Sequence, residues 1–158
     1  MSGDAHRLPD ADWRRDPALL RLLDALDGPA GTTRAVGGAV RDTLAGLPVA
    51  DVDLATRLLP QDVVTRLENA GMKAVPTGIA HGTITAIADG KRFEVTTLRR
   101  DVETDGRHAK IAFTDDWAAD AARRDFTINA LYADPVSGEI FDPVGGIADL
   151  RARCVRFI

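Results

Sequence analysis

The stretch GGAVRDTLAGLPVADVD, residues 37–53, ends on two aspartates, Asp51 and Asp53, with a single valine between them. On an extended strand they project from one side while Val52 and Leu54 point into the core. Like charges so placed repel unless a cation stands between them. Hard oxygen donors with few partners and open positions suit Mg2+ held jointly by protein and substrate phosphates. The plainer reading of a bare D-x-D is a strand with an exposed polar face. In FEVTTL, Phe93 and Val95 face one way while Glu94 and Thr96 face the other. A glutamate among apolar neighbours on a central strand needs a partner. Either it pairs with Arg92 or an arginine of the following loop, or it is a third carboxylate of a two-metal site that aligns a hydroxyl against a phosphoryl group.

Gly37 and Gly38 open a helix, so backbone N–H groups and the positive helix end could approach a triphosphate that a Cβ would block. Arg41 near that helix start either binds phosphate or pairs with Asp42. In RRDFTINAL, Arg123 and Arg124 precede Asp125, and Asn129 follows four residues later. On a helix Asp125 and Asn129 share a face and offer an acceptor and an amide to a ribose or a base. Phe126, Ile128 and Leu131 predict that this helix is substantially buried. Trp117 reads as core, Cys154 as a buried apolar residue and His81 as a turn residue, while His6 and His108 lack ligand spacing. With Ser2 and Ser137 the only serines, Ser-His-Asp catalysis has little to work with, and neither GxGxxG nor a Walker A loop is present.

These groups need a scaffold, and 158 residues suit one domain with a real core. Asp16-Pro17 marks a helix start, and Leu19, Leu20, Leu22, Leu23 and Leu26 give it an apolar face. A strand over 33–36 runs into the glycine pair, and VRDTLAG continues as a helix closing at Gly46. Strands are expected over 49–55 and 72–75, with a helix over 60–70 between them. HGTITAIA and KRFEVTTL, joined by Asp89-Gly90, form the strongest hairpin signal in the chain. Residues 100–113 are charged, lack periodicity and read as a loop. Thr114 is expected to cap a helix running from Trp117 through Leu131 with a bend near 125–127. SGEIFDPVGGIADL predicts a turn, a short strand and a short helix, and CVRFI a terminal strand. The class is α+β, a mixed and mainly antiparallel sheet flanked by helices.

Apolar residues at 45% and charged residues at 28% are ordinary, and no apolar run reaches membrane-spanning length. One cysteine permits no internal disulfide, and a polar opening stretch makes the cytoplasm the expected setting. A net charge of −4 argues against coating nucleic acid by bulk attraction, so any phosphate site is local: Lys91-Arg92, Arg99-Arg100, Arg107 to Lys110 and Arg123-Arg124 are the basic clusters.

Taken in order, GGAVRD, DVDLAT, FEVTTLR, TDGRHA, RRDFTINAL and DPVGGIADL resemble the catalytic head of the class II tRNA nucleotidyltransferase and bacterial poly(A) polymerase family, within the polymerase-β-like nucleotidyltransferase superfamily. The resemblance covers about residues 33–158, with residues 1–32 as a helical lead-in. It implies template-independent nucleotide addition from CTP or ATP to an RNA 3′ end, most often completion of the CCA terminus of tRNA. By that likeness Asp51 and Asp53 hold Mg2+, Glu94 is the supporting carboxylate, and Gly37, Gly38 and Arg41 contact the triphosphate. Arg123, Arg124, Asp125 and Asn129 fall where the family binds the nucleotide and its ribose. Arg107, in DGRHA, falls at the position where the family has a loop that helps organise the site for the terminal adenosine. In the family a helical neck that chooses the base, then body and tail helices that grip tRNA, follow the head. The expectation is therefore a head alone or a natural fragment that needs a partner, with weakened tRNA binding. A poly(A), CC-adding or A-adding head and a nucleotide-binding module without turnover are the neighbouring readings. A D-x-D glycosyltransferase would explain only Asp51 and Asp53.

Overall fold

The structure is a computed structural model that describes residues 7–102 and 110–158. Arg107, His6 and His108 lie outside the described residues. The first helix, α1 (Pro17–Ala25), begins where Asp16 accepts the Ala18 N–H at 3.0 Å and Pro17 fills the first helical position, which needs no N–H. Leu19, Leu22, Leu23 and Leu26 join the main core, but Leu20 stays 39% exposed. One residue of helix turns the side chain by about 100°, which carries Leu20 off the buried stripe.

The chain continues through β1 (Thr33–Val36), α2 (Gly38–Leu44), β2 (Asp53–Thr56), α3 (Pro60–Asn69), β3 (Lys73–Gly78), β4 (Thr83–Ala88), β5 (Lys91–Thr97), β6 (Arg99–Val102), β7 (Lys110–Phe113), α4 (Trp117–Ala122), β8 (Tyr132–Ala133), β9 (Ile140–Phe141) and α5 (Gly146–Arg151). Seven strands form one sheet in the order β3-β4-β5-β2-β1-β8-β9. Only β2 and β5 pair in parallel; the other neighbours are antiparallel, as the class assignment expected. The β4–β5 hairpin turns at Asp89 and Gly90, whose φ values of 52° and 78° are those a two-residue turn needs to follow the strand twist.

Register divides the sheet into two faces. Leu54, Val95 and Ile84 pair side by side and pack with Leu22, Val63 and Leu67 in the main core. The opposite face carries an unbroken row of paired residues, Thr85, Glu94, Asp53, Val36, Tyr132 and Phe141, one from each of six adjacent strands. Paired residues share a face, so the row is polar toward β4 and apolar toward β9, where Val36 and Tyr132 pack with Ala55, Leu98, Trp117, Ala121 and Ala130. Trp117 is core, as its sequence context suggested.

Six local expectations are corrected. Residues 100–113 are not all loop: β6 and β7 pair as a separate ribbon, and because its residues are only half-buried or exposed it carries no apolar stripe to reveal it. The cap of α4 is Asp116, which accepts from the Ala118 N–H at 3.0 Å, while Thr114 accepts from the Asp116 N–H one step earlier. The second strand starts at Asp53 and not at 49, so Asp51 precedes it. The helix expected to run to Leu131 ends at Ala122, because Phe126 is extended and the chain turns to meet the C-terminal segment, Thr127 N–H donating to the Arg156 carbonyl and Ile158 N–H to that of Asp125. Long-range pairing there overrides helix propensity. CVRFI makes a single bridge, Phe157 to Phe126, in place of a strand, and Cys154 is only half-buried.

Candidate active site

Asp53 opens β2, and its register partner on β5 is Glu94, so the two carboxylates stand side by side. Val52 and Leu54 are buried at 8% and 1%, which leaves Asp51 and Asp53 on the solvent side. A cleft of about 490 Å³ is lined by Asp51, Asp53 and Glu94 with Thr77, Thr85 and Arg92. Among the described residues no Lys, Arg or His, Arg92 included, forms an ion pair with any of the three carboxylates.

The sheet behind Asp53 strips water from its carboxyl, and Glu94 and Asp51 add like charge, so it is held above the usual carboxylate range; Arg124 acts in the opposite direction. An acid whose folded value is raised costs stability when ionised, and that cost is relieved as pH falls through the folded value, where the folded chain takes its proton before the unfolded chain does. In metal-free buffer Asp53→Asn is expected to raise Tm at pH 7 by on the order of 1 °C, a small gain because solvent screens the open side of the cleft. It should also flatten the rise in stability that wild type shows on mild acidification. A variant that melts below wild type at pH 7 would contradict charge crowding at this position.

The donor chemistry fits a hard divalent cation. The carboxylates crowd like charge, lack described cationic partners and open onto solvent. Among the described residues no group of three or more His, Cys, Asp or Glu side chains is disposed to hold a metal ion alone. The arrangement thus suits a cation held by Asp51 and Asp53 and completed by oxygens from a bound phosphate.

At the end of β1, the strand beside β2, lies the glycine turn. Gly37 has φ 76° and ψ −128°, a conformation open to glycine and strained for other residues. Its N–H donates to the Leu131 carbonyl at 3.0 Å, so this donor, expected to be free, secures the turn instead. Arg41 makes the pairing with Asp42 that its position offered. Nε donates to Asp42 at 2.9 Å, and Nη1 reaches out to the Asn129 side-chain oxygen at 2.6 Å. Asn129 Nδ2 donates in turn to Asp125 at 3.1 Å, so Asp42, Arg41, Asn129 and Asp125 form one chain. The bond from Asn129 and the Phe126 N–H hold the Asp125 carboxyl below the usual range. Asp125 and Asn129 thus lie side by side as expected, although a turn and not an α-helix brings them together.

Arg123 donates to Asp101 of β6 at 3.1 Å. Arg124 is tied to Asp120 and Tyr132 in a buried cluster. Asp120 and Tyr132 were not foreseen, although the four-residue spacing from Asp120 to Arg124 on a helix was a usable signal. Nor were Thr77 and Thr85, which only strand pairing brings to the cleft.

A family model described as "Poly A polymerase head domain" matches residues 33–156. The chain is 48% identical over 126 residues to the mitochondrial CCA tRNA nucleotidyltransferase 1 of Danio rerio, covering 79% of this chain and 29% of that protein. It is 41% identical over 125 residues to the CCA-adding enzyme of Geobacillus stearothermophilus, covering 78% of this chain and 30% of that one. Among solved structures, the CCA-adding enzyme of Bacillus stearothermophilus in complex with CTP superposes with a TM-score of 0.72 at 36% identity, over 90% of this chain and 34% of that one. A tRNA nucleotidyltransferase complexed with a primer tRNA and an incoming ATP analog superposes with a TM-score of 0.62 at 27% identity, over 84% of this chain and 38% of that one. The chain thus spans less than a third of the length of these two curated relatives.

Proposed function

Since the chain belongs to the poly(A) polymerase head-domain family, we propose that it is the catalytic head of an Mg2+-dependent nucleotidyltransferase that adds nucleotides from CTP and ATP to an RNA 3′ end, in the first instance the CCA end of tRNA. One observation carries this reading: the carboxylates Asp51, Asp53 and Glu94 face an open cleft on one side of β2, and the Gly37 turn with its Arg41–Asn129–Asp125 chain lies on the other. Acids for the reacting centre and donors for a triphosphate are thereby placed on adjoining strands. Likeness to a CTP complex and to a primer-tRNA complex supports the same assignment.

Asp51 and Asp53 would hold the Mg2+, which when bound supplies charge that stabilises the attacking and leaving oxygens. Glu94 accepts a hydrogen bond from the terminal 3′-hydroxyl and aims its oxygen at the α-phosphorus. The new bond forms from that oxygen to phosphorus as its proton passes through Glu94 to solvent, the bond to the bridging oxygen breaks, and pyrophosphate leaves on the opposite side. Gly38 and the N–H groups after it approach the triphosphate, with Arg41 beside them. Asp125 accepts from the ribose and Asn129 fixes it, while Arg123 and Arg124 supply positive charge. Arg107 is assigned to the same site by resemblance alone. A lone cysteine is what supports a cytoplasmic setting.

The partial coverage of its relatives favours one second reading, in which this chain binds nucleotide but needs further protein for turnover. Both are tested by incubating the 158-residue chain with labelled CTP or ATP, Mg2+ and a tRNA lacking its CCA end. Label on the tRNA is the expected result, saturable nucleotide binding without transfer supports the second reading, and absence of nucleotide binding overturns both.

A further inference from the structure

Asp120 and Tyr132 form a polar cluster to which the transfer chemistry assigns no part. Asp120 is 2% exposed and Tyr132 is wholly buried. The Asp120 carboxylate receives the Tyr132 hydroxyl at 2.5 Å, Arg124 Nη2 at 2.9 Å and Nε at 3.3 Å, and the Arg99 backbone N–H at 3.0 Å. A buried carboxylate is costly unless its hydrogen bonds are complete, and here they tie α4, β6 and β8 to one side chain, Arg124. Burial disfavours the charged guanidinium, but Tyr132 and Asp120 more than offset that, so Arg124 is held firmly cationic. Burial likewise keeps the Tyr132 hydroxyl protonated, and it serves as a donor.

Tyr132 stands in the row that runs through Val36 to Asp53 and Glu94. Arg124 Nε also reaches its hydroxyl at 3.3 Å, so the guanidinium sits over the same face of the sheet as the acids. Arg41 and Arg123, among the described residues, are held differently. Arg41 pairs with Asp42 and Arg123 with Asp101, carboxylates whose side chains are 27% and 65% exposed, against 2% for Asp120. Exposed partners exchange with water readily, whereas a saturated buried one fixes a single rotamer.

We propose that Asp120 and Tyr132 are positioning residues for nucleotidyl transfer, locking Arg124 over the sheet face that carries Asp53 as a preset cation for a phosphate of the incoming nucleotide. The proposal rests on the transfer reading above. Holding the arginine in place before the ligand arrives removes the ordering cost at binding.

The test is a double-mutant cycle read by calorimetric binding of MgCTP and MgATP to the 158-residue chain, with Tm measured for each variant. Asp120→Asn would aim an amide donor at Arg124 and endanger the fold, so Tyr132→Phe carries the test. It keeps the ring that meets Trp117 edge-on at 5.1 Å. Arg124→Gln is expected to weaken nucleotide binding about tenfold and Tyr132→Phe about fivefold, with the double variant no weaker than Arg124→Gln alone. A Tyr132→Phe penalty that persists in full in the Arg124→Gln background, or a loss of Tm with unchanged affinity, overturns the proposal while leaving nucleotidyl transfer standing. Wild type that binds neither nucleotide overturns both.

Discussion

Asp51→Ala with Asp53→Ala leaves nucleotide transfer at least on the order of 10³-fold below wild type, while the fold survives. The size follows from placement. Asp53 is fixed by the ladder between β1 and β5 and cannot be replaced by a neighbour swinging in, since Glu94 is already committed to the next position in the row. Without the pair, charge that develops on the α-phosphoryl oxygens meets no fixed counterpart. Survival follows from the same geometry, because removing carboxylates that crowd one another relieves repulsion. Glu94→Gln should fall between wild type and the double variant, since an amide keeps the size of the side chain but is a poorer acceptor. Single-turnover transfer at saturating MgCTP, with circular dichroism for the fold, decides it. Transfer within tenfold of wild type would remove both aspartates from the reaction.

Gly146→Ala destabilises the chain by about 3 kcal/mol, a fall in Tm of about 10 °C, and weakens nucleotide binding as well. A Cβ at this position would lie 2.2 Å from the Thr127 carbonyl oxygen and 2.9 Å from its carbon, far inside any tolerated contact. Neither side can withdraw cheaply. The Asp142 carboxylate accepts from the Gly146 and Ile147 N–H groups at 2.7 and 3.1 Å, which pins the start of α5. Thr127 is pinned by its hydroxyl bond to Asp149 at 2.5 Å and by its N–H to the Arg156 carbonyl. The turn over Thr127–Asn129 must therefore shift, and with it Asn129, which receives Arg41 at 2.6 Å. Thermal melting and MgCTP titration of the variant read the two effects. A Tm within a couple of degrees of wild type would show that α5 does not brace this turn.

This second case marks where sequence reading stopped. SGEIFDPVGGIADL reads as a turn, a short strand and a short helix, and its glycine pair suggests nothing more, because the contact it permits is with a carbonyl nineteen positions earlier. The pattern through RRDFTINAL suggests a helix with no more than a bend near 125–127 for a similar reason: periodicity reports local preference and cannot register that residues 125–127 pair with the last residues of the chain. The β6–β7 ribbon escaped because strands exposed on both sides have no alternation to display.

Local chemistry was enough for the rest. Alternation in VDL and FEV committed Asp53 and Glu94 to one side of their strands and their neighbours to the core, since backbone geometry permits nothing else. Asp89-Gly90 determined its hairpin, and Gly37 its turn, because few residues adopt those angles. Only the tertiary structure decided that β5 lies parallel beside β2, which puts Glu94 next to Asp53, and that Arg41 meets Asn129 across 88 positions of chain. It also chose Asp120 and Tyr132 as the buried anchor of Arg124. Those pairings depend on the free energy of closing long loops around a shared core, a quantity that no short window of sequence contains.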